Sequence, residues 1–339
     1  MARVAINGFG RIGRGFMRAA YVGGFGELRE GIEIVAINDL TSAENLAYLL
    51  KYDSVYGRAP FEVSAGDHAL VVGGVVIPVL AERDPAKLPW KDMNVDIVVE
   101  STGFFTEGAK AHAHIDAGAK RVVISAPGKG EVDTILIGAN EDKFATCVIS
   151  SNASCTTNAA SPLIGILDEA IGIERAVLNT THAYTASQAL VDAPSTKDMK
   201  EGRAAALNIV PTSTGAAIAT TIAYPSLAGK FDGISLRVPV PAGSIVDITF
   251  VPKRATSVDE VNGALKAAAQ NDRWKRVFAV TEEPLVSRDI VGLPYGSIAD
   301  LGMTRVVDGM LVKVLAWYDN EAGYSHTLVE HVNAVAKYL

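Results

Sequence analysis

Three glycines near the start constrain this chain more than any other feature. Gly8, Gly10 and Gly13 form G-x-G-x-x-G directly after the strand-like residues 4–7, and they open a helical pattern whose inner face would include Ile12, Phe16 and Ala20. Glycine there permits a tight turn and lets the backbone approach a pyrophosphate, which rests on the free N–H groups and positive dipole of the helix start. A Gly-rich turn can also be no more than a turn. The surroundings favour the dinucleotide reading. A second strand-like run, residues 32–38, ends in Asn38 and is followed by Asp39, whose carboxylate can accept hydrogen bonds from the adenosine ribose hydroxyls. The spacing from the glycines is longer than usual, and a helix cap is the other use an aspartate finds at such a place. A carboxylate there repels a 2′-phosphate, so the expected cofactor is NAD rather than NADP.

The rest of the first half alternates β-branched runs (95–100, 121–125, 146–150) with helical patterns, one of them over 107–119 with Gly118 near its end. That alternation predicts right-handed βαβ units on a doubly wound, mainly parallel sheet. Residues 69–81, broken by Gly73, Gly74 and Pro78, read as a hairpin. After Cys155 the style changes to longer strand-like segments at 173–183, 233–240, 244–251 and 310–318, which predict an α+β domain with a mainly antiparallel sheet and helices on one face. Ser257 and Glu260 form a capping-box pair before Val261, Leu265 and Ala268. The irregular stretch 184–210 is a candidate active-site or subunit-contact loop. A length of 339 residues suits two domains, 1–153 and 154–320, with a terminal helix over 321–339 expected to pack on the first.

Apolar residues make up 49% of the chain and the net charge is −7, so there is no general electrostatic reason to bind nucleic acid or an anionic membrane. An anionic substrate would need a local basic pocket. The apolar stretch 69–81 is too short to span a bilayer as a helix. The glycine motif begins at residue 8, leaving no room for a leader in front of it, and with two cysteines too few for a disulfide framework the expected location is the cytoplasm.

One of those cysteines stands out. Cys155 lies in Ser151-Asn152-Ala153-Ser154-Cys155-Thr156-Thr157-Asn158, between a strand-like run and an apolar helical stretch. At a helix start, the dipole and free amides lower a thiol's pKa. Most free cysteines are small buried hydrophobes, which suits Cys147 inside 146–150 but not Cys155 among so many polar neighbours. His182, at the end of 173–183, can pair with a thiolate and shuttle protons. The other histidines, 68, 112, 114, 326 and 331, give no metal-binding set, and no metal is expected.

Together, residues 5–14, the octet around Cys155, Thr181-His182-Ala183-Tyr184 and Trp317-Tyr318-Asp319-Asn320-Glu321 resemble the phosphorylating glyceraldehyde-3-phosphate dehydrogenase family, in the family's order from end to end. The resemblance implies a Rossmann-type domain, a catalytic domain and a homotetramer. It implies Cys155 as nucleophile and His182 as its activator, with Arg11, Ile12, Asp39, Arg83, Ser125 and Asn320 joining the glycines in holding NAD. Arg83 would lie against the adenine and Asn320 against the nicotinamide amide. Ser154, Thr156, Thr185, Lys200, Thr214, Gly215 and Arg237 would contact glyceraldehyde 3-phosphate and inorganic phosphate.

Four positions depart from the family's pattern. Ala322 stands where Trp is usual, Lys200 where Arg is frequent, Glu201 beside it adds a negative charge, and Ala159 replaces a second cysteine. Two other readings remain: an erythrose-4-phosphate dehydrogenase with the same nucleophile, and an NAD-binding redox sensor that no longer turns over.

Overall fold

A computed structural model describes the chain apart from residues 23–26, 29–30 and 197. It divides into two compact units. Unit 1 comprises Met1–Ile135, Asn140–Ala153 and Ser325–Leu339; unit 2 comprises Leu136–Ala139 and Ser154–Tyr324.

Unit 1 is built on strands β1 (Ala2–Asn7), β2 (Ile32–Asn38), β3 (Val63–Gly66), β4 (Ala69–Val72), β5 (Val75–Leu80), β6 (Ile97–Glu100), β7 (Arg121–Ile124), β8 (Asp133–Thr134) and β9 (Ile149–Ser151). They form one nine-stranded sheet in the order β8-β9-β7-β6-β1-β2-β5-β4-β3. All pairs are parallel except those of β3 with β4 and β4 with β5. The antiparallel corner includes the expected hairpin, turned by Gly73 and Gly74 with φ of +56° and +83°.

Central strands such as β1 and β2 are nearly continuous apolar runs because both faces of a parallel sheet are covered. Their registers align Asn7, Asn38 and Glu100 at the carboxyl ends of β1, β2 and β6. β2 and β6 flank β1 on opposite sides, so the strand order reverses there, and such a switch point is where open α/β sheets bind ligands.

Helix α1 (Arg11–Ala20) and α2 (Ala43–Lys51) follow β1 and β2. Phe16 and Ala20 are fully buried on the inner side of α1, whereas Ile12 is only partly covered. Two expectations change here. The helix over 107–119 is two short ones, α3 (Gly108–Ala111) and α4 (Ala113–Asp116), joined at His112 and followed by Gly118 with φ of +108°. Cys147 lies outside a strand: a 3-10 turn at Glu141–Ala145 runs up to it and β9 starts two residues later, so its burial comes from packing and not from a sheet position.

Unit 2 contains β10 (Ile173–Ala183), β11 (Val210–Ser213), β12 (Phe231–Val238), β13 (Ser244–Pro252), β14 (Phe278–Thr281), β15 (Ser297–Val307) and β16 (Leu311–Tyr318). Their order in one seven-stranded sheet is β11-β12-β10-β13-β16-β15-β14. It is mainly antiparallel, with β10–β12 and β14–β15 the parallel pairs. Helices α5 (Cys155–Ala170), α6 (Ala216–Ala223) and α7 (Val258–Gln270) belong to this unit.

Helix α5 is apolar on almost every side: Ala159, Leu163, Ile164 and Leu167 are buried with Leu178, Val246, Ile248 and Val314 of the sheet. Each fully buried aliphatic side chain contributes about 1.5–3 kcal/mol. Val177 and Ile234, on the alternate positions of β10 and β12, stay 61% and 56% exposed, which leaves an apolar sheet face uncovered within the chain.

Ser257 caps α7 by accepting from Glu260 N–H, but the Glu260 carboxylate turns to Arg254 and Thr256 instead of closing the box. The described residues of 184–209 are irregular apart from a 3-10 turn at Met199–Gly202, and the stretch folds back on itself through Asp192, which accepts from Arg203 Nε and Ala204 N–H. The last helix, α8 (Ala322–Ala336), begins where Asp319 Oδ1 accepts from the Glu321 and Ala322 N–H groups. From Ser325 onward it belongs to unit 1. No helix among the described residues is long and apolar enough to cross a membrane.

Candidate active site

In unit 1 the glycine loop is held by what it lacks. A Cβ on Gly8, at φ of +92°, would stand 2.6 Å from Thr102 N, and one on Gly13 would stand 2.2 Å from Gly8 O. Gly10 is the N-cap of α1 and no side chain caps that helix, while the space where its Cβ would project is open. The loop borders a cavity of about 660 Å³ lined by Gly8, Gly10, Asp39, Arg83, Ser101 and Thr102, among others. An uncapped helix start beside a cavity of this size fits a dinucleotide's pyrophosphate.

Asp39 does not cap α2; Ser42 does. Its Oδ2 accepts from Phe9 N–H at 2.8 Å and its Oδ1 from Thr41 N–H at 3.0 Å, which aims the carboxylate at the cavity's edge. Arg83 is exposed in the same lining. Ser125 Oγ donates to Ser101 Oγ at 3.0 Å. The Arg11 guanidinium is engaged by Asp53 and stands 5.7 Å from the Tyr56 ring, so any pyrophosphate contact from Arg11 falls to its backbone. Burial pushes the Asp53 carboxyl up, but the Tyr56 and Val55 amides and Arg11 outweigh it and hold Asp53 below the usual carboxylate range.

Beneath the loop lies a buried polar network that sequence reasoning missed. Glu100 accepts from Asn7 Nδ2 (2.6 Å), Thr102 N–H (2.8 Å), the Thr102 hydroxyl and His114 Nε2 (3.1 Å). Trp90 Nε1 donates to His114 Nδ1 at 3.0 Å, and an indole can only donate, so the imidazole proton sits on Nε2 facing the carboxylate. Asn7 Oδ1 in turn accepts from Asn38 Nδ2 at 2.7 Å. The signal available in the sequence was a polar residue closing each of three apolar strands.

Unit 2 carries the thiol. Ala153 adopts φ of +54°, uncommon for a residue with a side chain, and turns the chain from β9 into α5. Ser154 is the N-cap and accepts from Thr157 N–H at 3.1 Å, which makes Cys155 the first helical residue. The polar neighbours are mostly buried, and two of them are bonded within the unit: Asn158 Nδ2 donates to Ser154 O, and the Thr156 hydroxyl meets Tyr318 Oη at 2.8 Å. Tyr318 also meets Thr180 Oγ1 at 2.8 Å, and its ring stands edge-on to His182 at 5.9 Å, a role no sequence signal announced. Thr156 also bonds to the Cys155 sulfur through its hydroxyl and its backbone N–H.

Cys155 is partly exposed as a residue, and its Sγ lies 3.3 Å from His182 Nε2. His182 Nδ1 is 2.6 Å from Ala183 O and 2.7 Å from Arg237 Nη1. The parallel register of β10 and β12, which pairs His182 with Arg237, brings the imidazole and guanidinium together. Arg237 Nε is buried and has no hydrogen-bond partner among the described residues, a donor available to an anion.

The helix start does not by itself lower the Cys155 thiol, contrary to the sequence-based expectation. Burial pushes the thiol up and outweighs Arg237 and the Thr156 and Cys155 amides, while burial and Arg237 push His182 down to about 3. Neither group charges readily alone. The 3.3 Å separation is short enough for a proton to pass from Sγ to Nε2.

The other predicted contacts are less gathered. Thr185 Oγ1 meets Ser187 Oγ at 3.1 Å, Thr214 Oγ1 accepts from Ala216 N–H at 3.2 Å, and Gly215 is the N-cap of α6. Lys200 lies 3.6 Å from Asp198 in the 3-10 turn. No hydrogen bond or ion pair among the described residues joins these four to Cys155, His182 or Arg237. Asn320 is buried with its Oδ1 3.1 Å from Ser244 Oγ. Among the described residues, no group of three or more His, Cys, Asp or Glu side chains could hold a metal.

Comparison with known proteins places both units. Residues 2–108 match the family model for the glyceraldehyde 3-phosphate dehydrogenase NAD binding domain, and residues 154–320 match that for its C-terminal domain. The chain is 51% identical to the glyceraldehyde-3-phosphate dehydrogenase of Mycobacterium avium over 99% of both chains. It is 51% identical to glyceraldehyde-3-phosphate dehydrogenase 2 of Streptomyces arenae over 97% of this chain and 96% of that one, and 50% identical to the Mycolicibacterium smegmatis protein over 99% of both. The chain belongs to the glyceraldehyde 3-phosphate dehydrogenase family and is an NAD-dependent oxidoreductase.

Proposed function

We infer that this family member oxidises glyceraldehyde 3-phosphate to 1,3-bisphosphoglycerate, with Cys155 as the covalent nucleophile and His182 as its acid–base partner. The 3.3 Å approach of Sγ to Nε2, with Arg237 on the far side of the ring, carries this reading. Cys155 passes its proton to His182 Nε2, Sγ attacks the aldehyde carbon, and the proton goes to the new alkoxide oxygen, which gives a hemithioacetal. His182 Nε2 then takes the hydroxyl proton as the C–H bond releases its hydride. Bound NAD supplies the hydride acceptor. Inorganic phosphate cleaves the resulting thioester, and Cys155 leaves as the thiolate.

Arg237, through its free Nε, anchors an anion, with Ser154, Thr156, Thr185, Lys200, Thr214 and Gly215 completing the phosphate contacts. Gly8, Gly10, Ile12, Gly13, the Arg11 backbone, Asp39, Arg83 and Ser125 hold the dinucleotide, and Asn320 meets the nicotinamide amide. Residues 1–153 with the terminal helix act as the NAD-binding domain and 154–320 as the catalytic domain. A homotetramer fits the apolar side chains left bare on unit 2: Leu190, Met199 and Leu207 are each more than 80% exposed, and they accompany Val177 and Ile234. Two free cysteines suit the cytoplasm.

NADH formation with glyceraldehyde 3-phosphate, with and without inorganic phosphate and with erythrose 4-phosphate as comparison, tests the reading. Phosphate-dependent turnover of the three-carbon aldehyde is expected. Preference for erythrose 4-phosphate, or no turnover of either, would overturn it.

A further inference from the structure

Ser244 opens β13 and is 1% exposed. Its Oγ accepts from Ala183 N–H at 3.0 Å and lies 3.1 Å from Asn320 Oδ1. Ala183 is the residue whose carbonyl meets His182 Nδ1 at 2.6 Å. A continuous chain of bonds therefore runs from the imidazole through the Ala183 peptide and the Ser244 hydroxyl to the Asn320 amide.

The backbone of Asn320 is fixed separately. Asp319 Oδ1 accepts from the Glu321 and Ala322 N–H groups and Oδ2 from Gly292 N–H at 2.8 Å. What remains free at Asn320 is rotation of the amide by half a turn, and Ser244 decides it. Because Ser244 Oγ already accepts from Ala183, its own proton points to the amide oxygen. In the reversed amide the hydroxyl would face Nδ2, a donor, and its proton would have no acceptor in a buried place. In the observed orientation Asn320 Nδ2 has no partner among the described residues.

We propose that Ser244 is a positioning residue that locks the Asn320 amide with Nδ2 outward, so that the site recognises the nicotinamide substituent as a hydrogen-bond acceptor. This rests on the reading that Asn320 meets the nicotinamide amide. A carboxamide offers both an acceptor and a donor, whereas an acetyl group in its place offers an acceptor only. With the lock intact, Asn320 serves both. Without it, the amide turns over, and the reversed form still pairs with a carboxamide but sets oxygen against oxygen with an acetyl group.

The test measures Kd by equilibrium dialysis for NAD and for 3-acetylpyridine adenine dinucleotide in the wild type, Ser244→Ala, Ser244→Thr and Asn320→Ala. In Ser244→Ala, Kd for the acetylpyridine dinucleotide is expected to rise about fivefold or more and that for NAD about twofold. Ser244→Thr, which keeps the hydroxyl, retains the wild-type ratio, and general damage to the fold would weaken both ligands alike. Equal weakening of both in Ser244→Ala, or no weakening of either, while Asn320→Ala weakens both, overturns the lock and leaves the Asn320 reading standing. Unchanged binding of both ligands in Asn320→Ala overturns that reading, and the lock with it.

Discussion

The two units each present a helix start to the chemistry, and they use it in opposite ways. At α1 the N-cap is Gly10 and no side chain caps the helix; at α5 the N-cap is Ser154, which takes up the Thr157 amide. The first leaves an anion-binding end open to a ligand, beside a cavity. The second is closed by its own cap, so that its field acts on a residue of its own first turn. The uncapped start is open to a ligand, whereas at the capped one the first-turn amides act on the Cys155 sulfur without outweighing its burial.

That contrast predicts separable losses, the largest at Cys155. Cys155→Ser should lower NADH formation by at least about 10³-fold, because a hydroxyl is a far weaker nucleophile, while calorimetry shows NAD binding intact. Loss of both together would mean that the thiol is structural. His182→Asn should cost about 10²–10⁴-fold in turnover. The same variant should move the pH profile of Cys155 alkylation by iodoacetamide to higher pH. The sign follows from the lost proton acceptor: without the imidazole, burial still raises the thiol, and Arg237 and the first-turn groups that oppose it are outweighed. An unmoved profile would leave Arg237 and the first-turn groups as the activators.

The opposite dissection belongs to unit 1. Gly8→Ala forces a side chain into a left-handed position 2.6 Å from Thr102 N, so NAD binding should weaken by about tenfold or more. Cys155 alkylation in the absence of NAD should proceed at the wild-type rate. Arg237→Lys keeps the charge but loses the planar fork and Nε, and should raise KM for glyceraldehyde 3-phosphate about tenfold. Smallest is Ser154→Ala, which removes the cap of α5 and should cost about 1 kcal/mol, read as a lower midpoint in thermal melting.

Local features of both sites were legible in the sequence because they depend on neighbours along the chain. The glycine spacing, the turn at Gly73-Gly74 and the position of Cys155 at the start of a helix are of this kind. What escaped depends on register and burial. Arg237 reaches His182 because two strands 55 residues apart pair in parallel, and Glu100 reaches Asn7 across 93 residues. The raised Cys155 thiol escaped for the same reason: the dipole of a helix start is local, but the packing that desolvates the sulfur is not. At 107–119 the periodicity suited one helix, yet the chain breaks at His112, between two four-residue turns.

The bond from Trp90 to His114 gives the molecule an optical gauge. The indole donates into an imidazole that leans on Glu100, and Glu100 holds Asn7 and Thr102 at the floor of the glycine loop. A shift of that loop reaches a fluorophore through three named bonds. Trp274 and Trp317, the other two tryptophans, belong to unit 2. With those two replaced by Phe, the remaining emission would report events in unit 1 alone, so filling of the dinucleotide site could be timed in the same cuvette as the alkylation of Cys155, each unit keeping its own clock.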